Sequence, residues 1–242
     1  MSTLPNSPPI SGLAGPDGVA VREGDSDAAV LRLGAVVSIV QSALFVVIGV
    51  AGLLLGVDAL VDGGFASLAA SEPTAFRVLC AAFVLIAVLG VAITPAERML
   101  IEPASPALAR FGASLAYLGH GGTIVFFSWW LVASVQSTSA GGQLDVIAPI
   151  DWGVMFELVF VGAWVWIMAA AMRGPSPFPA GFVWFSVAKA ASFWFTFAAF
   201  LTDNKLLIVV GLATVAFGTG PVWHAWIARL FAHRIRERRD GR

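Results

Sequence analysis

Residues 74–94 read TAFRVLCAAFVLIAVLGVAIT, a run with one charge, Arg77, near its start and no alternation of apolar with polar positions. At about 1.5 Å per helical residue the run reaches across a hydrocarbon core of roughly 30 Å. A membrane strand would alternate, and lipid offers the backbone no hydrogen-bond partners, so the run must be a helix that satisfies its own peptide groups. Five more stretches of the same character lie at about 31–57, 107–135, 150–172, 180–202 and 205–231. Together they predict an all-α polytopic membrane protein with six transmembrane helices.

The composition of the 242-residue chain agrees. Hydrophobic residues make up 58% and charged residues 12%, about half the charged share of a soluble domain, and the mean hydropathy is +0.86. A single compact domain of this length cannot hide so much apolar surface from water. The net charge of -1 provides no basic field, so nucleic acid is excluded as a partner and membrane lipid is the expected one. A second copy of the chain or a larger membrane assembly is a further expected partner. One cysteine, Cys80, cannot form an intramolecular disulfide.

Three regions follow. Residues 1–28 contain Pro5, Pro8, Pro9, Pro16 and the acids Asp17, Glu23, Asp25 and Asp27, without the apolar core of a signal peptide, and are expected to be a disordered, uncleaved tail. Residues 29–231 hold the six-helix domain, and 232–242 form a basic tail. Thr94-Pro95-Ala96-Glu97 has the form of a capping box with proline at the first helical position, and predicts a short interfacial helix after the second span. On this reading Glu97, Arg98 and Glu102 form solvated pairs. Ser105-Pro106, Glu72-Pro73 and Asp203 mark other helix starts, while Gly63-Gly64, Gly141-Gly142 and Gly174-Pro175-Ser176-Pro177 fall in connections.

With both termini on one side, that side collects eleven of the fourteen basic residues, and the other has Arg77 and Lys205, with Lys189 inside a span. The asymmetry predicts cytoplasmic termini in a bacterial inner membrane, and it favours an even number of crossings. Trp129, Trp130 and Trp152 are then expected at the outer interface and Trp226 at the inner one. No internal repeat is visible.

Ionisable groups inside a bilayer are costly, and four fall within these spans: His120, Glu157, Lys189 and His224. Helical rise puts His120 and Lys189 at a similar depth of roughly 13 Å, with His224 somewhat nearer the cytoplasm and Glu157 in the outer half. Lys189 shares a helix face with Ser186, Ser192 and Thr196, which points that face inward. It is read either as a lysine snorkelling to the interface or neutralised beside Glu157, or as a substrate or proton site. His120 lies in Gly119-His120-Gly121-Gly122, with Tyr117 and Thr123 three residues to either side. His224 follows Gly220-Pro221, where the proline cannot donate to the carbonyl of Phe217 and predicts a kink. The expected pocket is bordered by His120, Lys189, Tyr117 and His224. Two glycine-flanked histidines could also ligate haem or a chlorophyll magnesium, but hydrogen bonding across helices is the favoured account of them and no cofactor is predicted. No metalloprotease, serine-hydrolase, phosphate-loop or Cys-x-x-Cys motif is present, and no catalytic residue or metal ligand is assigned.

Arg32-Leu33-Gly34, Phe76-Arg77, Ala107-Leu108-Ala109-Arg110 and Pro179-Ala180-Gly181 open spans one, two, three and five. In this order of features, over about residues 30–231, the chain resembles a family of bacterial six-span membrane proteins of unknown function. The resemblance implies six helices and no activity. The expected function is therefore non-enzymatic, either binding a lipid-like or small apolar molecule or serving as an accessory subunit. The alternatives are a proton-coupled transporter using Lys189, Glu157 and His120, and a haem or pigment protein using His120 and His224.

Overall fold

A computed structural model describes residues 23–56, 69–140, 152–173, 178–202 and 204–239. Among these residues the secondary structure is helical throughout, with no strand, and six helices are long and apolar enough to cross a membrane. They are α1 (Glu23–Leu55), α2 (Pro73–Ile101), α3 (Pro106–Ala140), α4 (Trp152–Ala171), α5 (Ala180–Leu201) and α6 (Lys205–Arg239). Two helices change pitch internally. α4 contains a π-helical turn at Glu157–Val161, and α6 contains one at Thr214–Thr219.

Close contacts fix the path. Gly34 of α1 faces Ala96 of α2 and Phe231 of α6, and Gly49 faces Phe217, so α1 runs antiparallel to both neighbours. Phe83 stacks on Phe127, Gly112 meets Trp164, Gly162 meets Phe193, and Thr196 meets Gly211, each pair running in opposite directions. Each helix therefore packs on the next and the sixth returns to the first. The result is a closed ring in which Glu23 and Arg239 lie at the same end. Small residues let these helices approach, since lipid supplies no hydrophobic drive between them and dispersion contacts carry the association. At Gly34 an added Cβ would lie 2.6 Å from that of Ala96.

Large apolar residues such as Leu54, Val125, Trp184, Leu201 and Leu206 cover the outside of the ring, as expected of a surface in contact with lipid. The inside holds Phe76, Phe127, Trp164, Phe182, Trp223 and Phe231. Trp129 is exposed, while Trp130 is buried edge-on against Phe76, near the start of α2, and belongs to the core.

Several boundaries differ from the sequence reading. α1 begins at Glu23, inside the expected tail, and α6 continues to Arg239, so most of the basic tail is helix. The remaining tail residues 1–22 lie outside the described residues, as do Gly63-Gly64, Gly141-Gly142, Gly174–Pro177, Asp203 and the Trp152 side chain. Asn204, next to Asp203, caps α6 by accepting from the Leu207 backbone N–H at 3.2 Å. Pro95 does not start a new helix. α2 runs through it to Ile101, and the Thr94 hydroxyl donates back to the Gly90 carbonyl at 2.7 Å instead of capping forward. Arg98 and Glu102 form the expected solvated pair at 2.6 Å, whereas Glu97 is only 3% exposed and points into the bundle.

Candidate functional site

Every helix sends one polar group to the centre of the ring. Gln41 comes from α1, Glu97 from α2, His120 from α3, Glu157 from α4, Lys189 from α5 and His224 from α6, and all six line one cavity of about 20 Å³. That is room for about one water molecule.

The cluster is built from two paired sets. His120 Nδ1 donates to Glu157 Oε2 at 3.1 Å, and the Thr123 hydroxyl donates to the same oxygen at 3.1 Å. Glu157 occupies the first position of the α4 π-turn, which supplies an extra residue per turn there, a feature frequent at functional sites. Lys189 Nζ donates to His224 Nε2 at 3.1 Å and sits 3.7 Å above the Trp223 ring, a cation–π arrangement. Phe45 stacks on His224 from α1. The α6 π-turn ends just before Pro221, whose missing N–H would otherwise have bonded Phe217. The Pro221 carbonyl accepts from the Ser42 hydroxyl at 2.8 Å.

Glu97 adds a second carboxylate, accepting from Trp164 Nε1 at 2.6 Å. Two carboxylates face one lysine and two histidines, so a single protonated histidine makes the cluster electrically neutral. Neutrality matters because desolvating an unbalanced charge costs on the order of several kcal/mol per ion. Gln41 donates to the Ile86 carbonyl at 3.1 Å. Its Oε1 and the Nδ1 of His224 are buried without a partner among the described residues, and both belong to side chains lining the small cavity.

A second cavity of about 140 Å³ adjoins the first in the half of the bundle opposite the termini. Phe45, Ile86, Glu157 and Phe193 border both. Among the described residues Glu157 is the only charged one on the wall of this larger chamber, which is otherwise apolar.

The structure thus brings together His120, Glu157, Lys189 and His224. Lys189 is 1% exposed and therefore does not snorkel, and its nearest polar partner is His224. Tyr117 is 41% exposed on the outside of α3 and lines neither cavity, which corrects its expected place at the pocket. Ser186 is buried but one step away, accepting from Trp223 Nε1 at 2.9 Å and so fixing the ring beneath Lys189. His120 and His224 face the same cavity, where they are hydrogen-bonded to Glu157 and Lys189 respectively.

Glu97, Gln41, Trp164 and Trp223 are the cluster residues that sequence reasoning missed. For Glu97 a signal existed: apolar Met99-Leu100-Ile101 follows it, which continues the span past Pro95. No family model, curated protein or solved structure matches this chain.

Trp164→Phe is expected to lower stability by about 1.5 to 3 kcal/mol, because it removes the hydrogen bond from a buried carboxylate. Thermal unfolding in detergent measures the loss. A Glu97→Gln background should shrink it, since the amide has less to lose than the carboxylate.

Proposed function

We propose that this protein is a proton-coupled carrier of a small, largely apolar molecule. The observation that carries the reading is the shared wall at Glu157: one carboxylate belongs both to the ionisable cluster and to the apolar chamber. A ligand entering the chamber changes the environment of Glu157, and the His120–Glu157 bond passes that change to a proton. Lys189, His224 and Glu97 supply further groups that can accept or release protons around the same small cavity. In a membrane interior such groups are usually retained for ion or proton movement, because an apolar core would be less costly. The alternative of a purely passive lipid-binding or accessory protein explains the chamber but not five ionisable residues converging beside it.

The orientation belongs to this proposal. Arg32, Arg98, Arg110, Arg229 and Arg234 lie toward the end of the ring that carries the termini, and Arg77 and Lys205 toward the other. The positive-inside rule then puts both termini in the cytoplasm of a bacterial inner membrane, with the chamber in the outer half.

Purified protein reconstituted into liposomes loaded with a pH-sensitive dye tests the proposal. Adding a permeant substrate mixture on one side should drive a proton flux that is absent from empty liposomes. Glu157→Gln should abolish it while leaving the helical circular dichroism unchanged. Equal flux in the variant and the parent would overturn the assignment of Glu157.

A further inference from the structure

Both hydrogen bonds that Glu157 receives end on Oε2, and Oε1 has no donor among the described residues. Its side chain keeps 16% of its surface open, in contrast to the near-complete burial of Lys189. Glu157 lines the larger chamber as well as the small polar cavity. A bare carboxylate oxygen against apolar walls is costly unless something positive or hydrogen-bonding meets it.

The rest of that wall narrows the choice. Phe45, Phe83, Phe193, Phe200 and Phe217 line it, with no lysine, arginine or histidine among the described residues. Aromatic faces attract cations, by about 0.5 to 2 kcal/mol each when desolvated. A single carboxylate in an aromatic cage gives a positively charged group both a counter-ion and a tolerant wall, and repels an anion. The volume of about 140 Å³ is close to the roughly 150 Å³ of apolar cavities that take up benzene. Exposed Leu53 of α1 and Phe217 of α6 border the chamber, so it opens at its edge between these helices.

We propose that the chamber is a binding site for a hydrophobic organic cation, a single-ring amine or quaternary ammonium, whose positive charge pairs with the Glu157 carboxylate. The inference rests on the carrier reading and names its substrate class. The groups that face Glu157 are His120 and Thr123 of α3, Lys189 of α5, Glu97 of α2 and His224 of α6, while α1 contributes only uncharged residues. With the His120–Glu157 pair holding one proton, arrival of the cation and departure of that proton to water leave the local charge unchanged. The cation and the proton thus compete for one site.

Full-length protein in mild detergent is titrated by calorimetry with benzyltrimethylammonium and, separately, with phenylmethanesulfonate, which has the same ring and a tetrahedral anionic head. The cation should bind saturably and the anion at least about tenfold more weakly, a difference of about 1.4 kcal/mol. Glu157→Gln should weaken cation binding by at least about tenfold. Leu212→Trp, which places an indole on the chamber wall and leaves Glu157 in place, should abolish binding and covers the case in which the glutamine variant fails to fold. Equal binding of both probes, or binding unaffected by either variant, overturns the site. Release of one proton per bound cation, read with an indicator dye in weak buffer, supports competition at Glu157. Cation binding without proton release supports the site and overturns the coupling. Proton flux in liposomes together with no cation binding overturns the site and leaves the carrier reading standing.

Discussion

If the proposed carrier reading holds, Lys189→Met is expected to abolish proton-linked flux and to destabilise the bundle by about 3 to 5 kcal/mol, the usual cost of removing one partner from a buried charge set. The reason is the charge count around the small cavity. Lys189 interacts electrostatically with both Glu97 and Glu157, and methionine leaves those carboxylates without their one strongly basic neighbour. Methionine also loses the donor to His224 Nε2 and the cation over the Trp223 ring. Thermal unfolding in detergent and flux in liposomes read the two effects separately. The double variant Lys189→Met/Glu97→Gln should recover a large part of the stability, because one uncompensated charge is removed with the other, and recover none of the flux. A double variant no more stable than the single one would mean that Glu97 and Lys189 do not balance each other.

Gly90→Leu should have an effect of comparable size from a residue with no polar side chain. A Cβ at position 90 would lie 2.3 Å from His120 Cε1 and 2.5 Å from its Nε2. The ring has nowhere to go, being buried and tied to Glu157 at 3.1 Å. Overpacking of this kind costs about 3 kcal/mol in a rigid core. Gly90→Ala should cost less because it adds only the Cβ, a clash that about 1 kcal/mol of helix propensity gained over glycine partly offsets. Flux should fall with the loss of the His120–Glu157 bond. Adding His120→Ala to Gly90→Leu opens space and should restore stability without restoring flux. Restored flux in that double variant would remove His120 from the proton path.

The polar groups that meet at the centre were partly readable. His120, Glu157, Lys189 and His224 stand out in the sequence because ionisable residues are rare in such apolar runs. Glu97 did not, because Thr94-Pro95 ahead of it imitates a helix start. In water the proline would have weighed more; in lipid a broken helix exposes peptide groups, so α2 continues through it. Tyr117 misled in another way. Three residues fall about 60° short of a full helical turn, so two steps from Thr123 through His120 to Tyr117 rotate the side chain by about 120° and carry it out of the bundle.

Hydropathy and charge alone determined the number of crossings, their approximate limits and the bias of basic residues toward one end, since each depends on transfer from water to lipid along the chain. Only the tertiary structure decided which groups share a cavity. These helices are apolar nearly all round, so their sequences carry little information about rotation around their own axes. Glycine contacts such as Gly34 on Ala96 and Gly90 on His120 set that rotation, and with it the pairing of residues as distant in sequence as Glu97 and Trp164.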